Sequence, residues 1–205
     1  MKHIIDLTHP ITTNTQAHPD DDQLSLKQIR SLDVNGYNNY RLTSGMHAGT
    51  HIDGPAHMLD SSLTIASFPA RYFIGQGVLI DAREKNITAQ LLENITIRPD
   101  SIVLVLTGHG KKLGTPEYYA NHPTINHDFT QALISKKINL LGLDLPSPDN
   151  YPFEQHKFLL QKNILIIENM ANLERLIGVS SFTIVALPLK IESDSSPARV
   201  IAFYE

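Results

Sequence analysis

Seven short apolar runs, rich in β-branched residues, recur along the chain at residues 4–7, 77–81, 102–107, 138–144, 164–168, 183–187 and 200–203. Their length and composition predict buried strands, which meet apolar surroundings on both faces. Residues 24–29 and 37–43 alternate apolar with polar positions, the pattern of half-exposed antiparallel strands. Helical signals are fewer. Thr88 is placed to cap a short helix over 89–93, Asp128 to open one through 136, and Pro152 or Phe153 to open one through 161. Strands outnumber helices and do not alternate strictly with them. The pattern therefore predicts an α/β domain with a mixed central sheet and flanking helices. No linker, repeat or low-complexity stretch divides the chain, so residues 1–205 read as one domain.

Composition narrows the class. Hydrophobic residues make up 41% and charged residues 19%, ordinary for a soluble globular protein. The formal charge of -4 argues against a nucleic-acid partner, which selects for basic surface. No apolar run approaches the ~18 residues of a membrane span, and none follows the start as in a secretory signal. A cytoplasmic location is the expectation, and the Asn-x-Thr triplets at Asn86 and Asn94 then read as chance matches to a glycosylation pattern. The chain has no cysteine, which excludes disulfides, iron–sulfur clusters and thiolate ligands. Any metal must bind through nitrogen and oxygen.

Those donors are concentrated in one place. Between residues 47 and 57 stand His47, His51, Asp53 and His57, interrupted by Gly49, Gly54 and Pro55. Imidazole and carboxylate are the donors that zinc and other divalent first-row metals take. In one straight strand His47 and His51 would lie roughly 13 Å apart, too far to share an ion. A helix would bring them together, but the glycines and proline oppose one. The expected form is a loop with a tight turn near Gly49 and Thr50, which folds His51 back towards His47 and leaves Asp53 on the same side. The competing reading is a solvated polar loop.

The motif His47-x-Gly49-Thr50-His51-x-Asp53-x-Pro55-x-His57 resembles the signature of the metal-dependent cyclase/amidohydrolase family that includes the bacterial kynurenine formamidases. The likeness runs along most of the chain. It includes residues 6–11, Thr107-Gly108, residues 142–149, His156 through Glu168-Asn169, Asn172-Leu173, residues 187–190 and residues 196–199. It implies a swivelling β/β/α fold and a homodimer or homotetramer. It also implies two zinc ions, with manganese as an alternative. By position, His47, His51 and Asp53 would hold one ion, and Asp53, His156 and Glu168 the second, with Glu168 touching both. His57 would be the general acid/base. The implied reaction is hydrolysis of a small-molecule amide by metal-activated water, as when N-formylkynurenine yields kynurenine and formate.

Physical chemistry supports parts of that assignment. Glu168 ends the apolar run Ile164-Leu165-Ile166-Ile167, where a charge is costly unless paired or metal-bound. His156 carries weight only through the resemblance. Asp144 reads equally as an orienting partner for a ligand and as a turn residue before Pro146. His9, His109, His122 and His127 read as rim or solvated loop residues; Arg199 reads either as ordering the C-terminal strand or as meeting a carboxylate, and is left unassigned. Relatives often carry an aromatic near the N-terminus that packs on the substrate ring. Here residues 12–22 hold no Trp, Phe or Tyr, and His18-Pro19-Asp20-Asp21-Asp22 stands in that place. His18 is the candidate substrate contact, and three adjacent aspartates disfavour an anionic substrate. Two rivals stand beside the formamidase reading: a mononuclear manganese or zinc hydrolase of a cyclic amide or lactone, and a metal-binding family member without turnover.

Overall fold

The computed structural model describes residues 3–205. Among the described residues, ten strands run in order: β1 (His3–Asp6), β2 (Ser25–Arg30), β3 (Asn39–Thr43), β4 (His51–Asp53), β5 (Ile74–Asp81), β6 (Ile102–Leu106), β7 (Leu140–Leu143), β8 (Leu165–Glu168), β9 (Phe182–Pro188) and β10 (Ser195–Tyr204). The α-helices are α1 (Leu32–Asn35), α2 (Pro116–Ala120), α3 (His127–Lys136) and α4 (Glu154–Gln161), joined by several single 3-10 turns.

Eight strands form one sheet in the order β1-β10-β4-β8-β7-β6-β5-β9. Strands β5 to β8 are parallel, and the other pairings are antiparallel. Because β9 pairs with both β5 and β10, seven strands close into a ring, with β1 attached outside it to β10. The mixed α/β class and mixed sheet agree with the sequence pattern. The closure was not legible there, because it depends on β10, whose residues 195–197 pair with β4 and residues 198–203 with β9.

Two apolar cores follow from strand parity. Ile52, Ile102, Leu104, Leu140, Leu165, Ile167, Ile184 and Val200 come from strands all round the ring and pack together, so they fill its interior. Their neighbours Val103, Val105, Leu141 and Ile166 face outward, beneath Phe129 and Leu133 of α3 and Leu159 and Leu160 of α4. Strand β6 is apolar throughout because both of its faces are buried. The helices thus flank the outer face of the ring, not two faces of an open sheet.

Three expectations need correction. Residues 51–53 form a strand where a loop was expected, although the turn before them is present. The segment 89–93 forms only a 3-10 turn, Ala89–Leu92. The β2–β3 ribbon is separate from the ring, and β3 is exposed at every position, so its alternation marks no buried face.

Candidate metal centre

Strand β4 brings the first donors together. Gly49 takes a left-handed φ of 68°, and the chain reverses there before entering β4. His51 lies directly opposite Glu168 of β8 in the antiparallel register. Ile52 points into the ring, so His51 and Asp53 point out of it together. On β8, Ile167 likewise points inward and Glu168 outward. Helix α4 lies over this outer face. Its Leu159 and Leu160 anchor in the outer core, and His156, three and four positions earlier, shares that side. Thus β4, β8 and α4 converge on one point, and His51, Asp53, His156 and Glu168 are all buried there.

The donor atoms face one another closely. Asp53 Oδ1 lies 2.9 Å from His47 Nδ1 and 3.3 Å from His51 Nε2, while its Oδ2 lies 3.5 Å from His156 Nε2. Glu168 presents Oε2 to His51 Nε2 at 3.4 Å and Oε1 to His156 Nε2 at 3.3 Å. Each carboxylate therefore shows one oxygen to the His47/His51 side and the other to His156 or its neighbourhood. Yet Asp53 Oδ1 and Oδ2, Glu168 Oε1 and His156 Nε2 are buried without a hydrogen bond. Such atoms are rare in folded proteins and call for an ion or another explanation. They point at shared space between them.

The outward nitrogens explain why. His51 Nδ1 lies 2.9 Å from the Gly49 carbonyl, which only accepts, so Nδ1 carries the hydrogen. His156 Nδ1 donates to Asp149 Oδ1 at 3.0 Å, and His47 Nε2 donates to Asp194 Oδ2 at 2.9 Å. In the neutral imidazoles this leaves His51 Nε2, His156 Nε2 and His47 Nδ1 with lone pairs aimed at two carboxylates. That arrangement suits a cation and, without one, extra protons. Burial would strip those protons, but the Asp53 and Glu168 carboxylates outweigh it and hold His51 well above its ordinary 6.5. For His156 the same contest is won by Asp149, Asp53 and Glu168. One donor atom each from His51, Asp53 and Glu168 lie within 4.8 Å of one another, and so do those of His47, Asp53 and His57.

His57 differs from the others. It ends the 3-10 turn Pro55–His57 and is only part-buried, with its ring centroid 4.2 Å from that of His47. Its Nδ1 lies 3.4 Å from Asp194 Oδ2. Burial lowers its pKa, and the neighbouring His47 and His156 act in the same direction against the pull of Asp53. Those influences favour the neutral imidazole. His18 sits on the rim of the cleft above the cluster, its ring edge-on to Tyr119 at 5.2 Å. That cleft has a volume of about 210 Å³.

Sequence reasoning missed the residues behind the donors. Asp149 binds His156 and also accepts from the Gln155 amide in the first turn of α4. Asp194 serves both His47 and His57 through one oxygen. Asn169 donates to the Gly49 carbonyl and accepts from the Tyr118 hydroxyl at 2.6 Å. His109, expected at the rim or in solvent, is buried and bonds the Tyr118 carbonyl. Asp144 accepts from the Thr107 and Gly108 amides and the Thr107 hydroxyl just past the end of β6, so it orients no histidine and its side chain closes no local turn. Arg199 makes a forked pair with Asp6. A lone loop aspartate such as Asp149 or Asp194 carries no signature; only its nearness to a matching block hints at it.

Residues 5–150 match the family described as putative cyclase. An uncharacterized protein of Methanocaldococcus jannaschii is 34% identical over 202 residues, 97% of this chain and 98% of its own length. A kynurenine formamidase of Bacillus cereus is 28% identical over 204 residues, 96% of this chain and 95% of its own. Among solved structures, an isatin hydrolase bound to the product analogue thioisatinate superposes with a TM-score of 0.89 at 24% identity, covering 99% of this chain and 92% of that one. A predicted metal-dependent hydrolase from Bacillus stearothermophilus gives 0.79 at 26% identity, covering 99% and 98%.

Proposed function

The chain belongs to the putative cyclase family, and from that premise we propose that it is a metal-dependent hydrolase of an amide bond in a small molecule. The observation that carries this reading is the set of unpartnered inward atoms on Asp53, His156 and Glu168, faced by imidazoles whose outer nitrogens are already committed. The formamidase relative and the hydrolase-like structural neighbours support it. His47, His51 and Asp53 would hold one divalent ion, and Asp53, His156 and Glu168 a second. The two oxygens of each carboxylate, turned to different histidines, favour two ions over one. Zinc suits this nitrogen and oxygen donor set, and manganese is the alternative.

When bound, such an ion polarises a carbonyl and brings the pKa of a coordinated water down to about 7. The protein's own residues do the rest. His57, its pKa lowered chiefly by burial, sits at the cleft side of the cluster and turns Nδ1 to Asp194, which leaves Nε2 to take a proton from water and return one to the leaving nitrogen. Asp149, Asp194 and the Gly49 carbonyl fix the imidazoles in the tautomer that ligation requires.

The reading extends to the swivelling β/β/α arrangement and to a homodimer or homotetramer. The exposed β2–β3 ribbon supports self-association: Tyr40 is 59% and Leu42 49% exposed, and a lone two-stranded ribbon is marginal in water. Metal analysis of the purified protein, followed by turnover of N-formyl anilines, isatins and lactones, tests the proposal. Two ions per chain with formanilide hydrolysis is the expected result. One ion with preference for isatins or lactones would favour the mononuclear rival, and metal without turnover the non-catalytic one.

A further inference from the structure

The cleft above the donors has walls of a particular chemistry. Its floor is the buried donor set, and above the floor stand Met58, Tyr119, Pro146 and Phe153. His18 and Asp21, both exposed, form the rim. Among the described residues, no lysine or arginine lines this cleft. Above the floor, a carboxylate on a substrate would thus find no lysine or arginine, and would meet Asp21 at the mouth.

Phe153 is the most constrained of the wall residues. Its backbone is left-handed, with φ 60° and ψ 43°, a conformation that a bulky residue rarely adopts. Hydrogen bonds fix it on both sides, from the Phe153 amide to the Asn150 carbonyl at 2.8 Å and from the Lys157 amide to the Phe153 carbonyl at 3.1 Å. The ring is held 6.2 Å from that of His156, nearly perpendicular to it. Tyr119 supplies a second aromatic wall, braced by the edge of His18. Strain of this kind at a binding cleft persists where the surrounding structure enforces it.

We infer that this cleft selects neutral or ammonium-bearing aromatic amides and rejects those carrying a carboxylate, with Phe153 as the wall for the ring and Asp21 as the charge filter at the rim. The inference rests on the hydrolase reading above and sharpens it. A ring packs against Phe153 and Tyr119 with its amide towards the donors, so a substituent para to the amide reaches the mouth. An ammonium there is drawn to Asp21, and a carboxylate is repelled by it.

The test compares formanilide, 4-(aminomethyl)formanilide, 4-formamidobenzoate and N-cyclohexylformamide on the metal-loaded protein. We expect kcat/KM for the first two to exceed that for the benzoate by about tenfold or more, and Asp21→Lys to invert the order of the cationic and anionic substrates. Phe153→Leu and Phe153→Ala should lower the formanilide-to-cyclohexyl ratio by about three- to tenfold, the range of an aromatic contact. The leucine variant guards against loss of fold, checked by thermal melting. Equal turnover of the anionic and neutral substrates would overturn the charge filter, and an unchanged ratio in both Phe153 variants would overturn the aromatic wall. Absence of turnover across the whole panel would sink the hydrolase reading alone. The charge order would then be read from binding of the corresponding 4-substituted benzamides by ligand-observed NMR, where preference for the carboxylate would overturn the inference.

Discussion

Removing the proposed cation should change both the stability of this protein and its pH dependence. The structure supplies the reason: His47, His51 and His156 hold raised pKa values only because Asp53, Glu168, Asp149 and Asp194 outweigh their burial. In metal-free protein those extra protons stabilise the fold fully below the unfolded value of 6.5, and the stability is lost as pH rises through the higher folded values. A divalent ion displaces the same protons, so its binding tightens over that same rise. At a free metal concentration of ~100 times Kd the gain is about 2.7 kcal/mol for one ion. For a chain of this length that corresponds to about 5–11 °C in Tm. Scanning calorimetry of chelator-stripped protein, with and without added Zn2+ or Mn2+ from pH 6 to 8.5, reads both quantities. The metal-free Tm should fall with pH and the metal-dependent increment should grow. Asp53→Asn, which removes the charge between the histidines, should abolish the increment. An increment of the same size in Asp53→Asn, or one that shrinks as pH rises, would refute the reasoning.

Other substitutions separate the roles. His57→Ala should keep metal content near wild type while hydrolysis falls by about 10²–10⁴-fold, checked by elemental analysis beside a formanilide assay. Asp149→Ala frees the His156 ring, and competition with a chromogenic chelator should show metal affinity down by about 10–100-fold. Gly142 lies against the ring interior, where an added Cβ would stand 2.5 Å from Met170 Sδ and 2.6 Å from Leu104 Cδ2. Gly142→Ala should therefore cost about 1–3 kcal/mol in urea unfolding, and an unchanged midpoint would show that the interior has room to give.

What could be read from the chain depended on whether a residue's role shows in its neighbours. Strand β6 was plain because five apolar residues in a row suit a strand buried on both faces. Strand β4 was hidden, since His51 and Asp53 interrupt the apolar pattern that marks a strand. The first half of β10 was hidden likewise behind Ser195, Ser196 and Pro197. The donors from His47 to His57 stood out through density within one short segment. His156 was found only through the family resemblance, and Glu168 through that and its place at the end of an apolar run; their nearness to Asp53 does not show in the sequence, because it arises from the antiparallel register of β4 with β8 and the docking of α4. Asp149 and Asp194 were not found, because a single loop aspartate looks the same whether it meets solvent or a histidine.

Strand β4 also has a consequence for how this scaffold tolerates change. Its inward residue, Ile52, belongs to the filling of the ring, and its outward residues, His51 and Asp53, belong to the donor set. The two duties fall on alternate positions of three consecutive residues and so lie on opposite faces of the strand. New chemistry can therefore be tried on the outside of the strand while the inside keeps the ring intact. Insulation of this kind lets an inactive intermediate remain folded long enough to acquire another reaction.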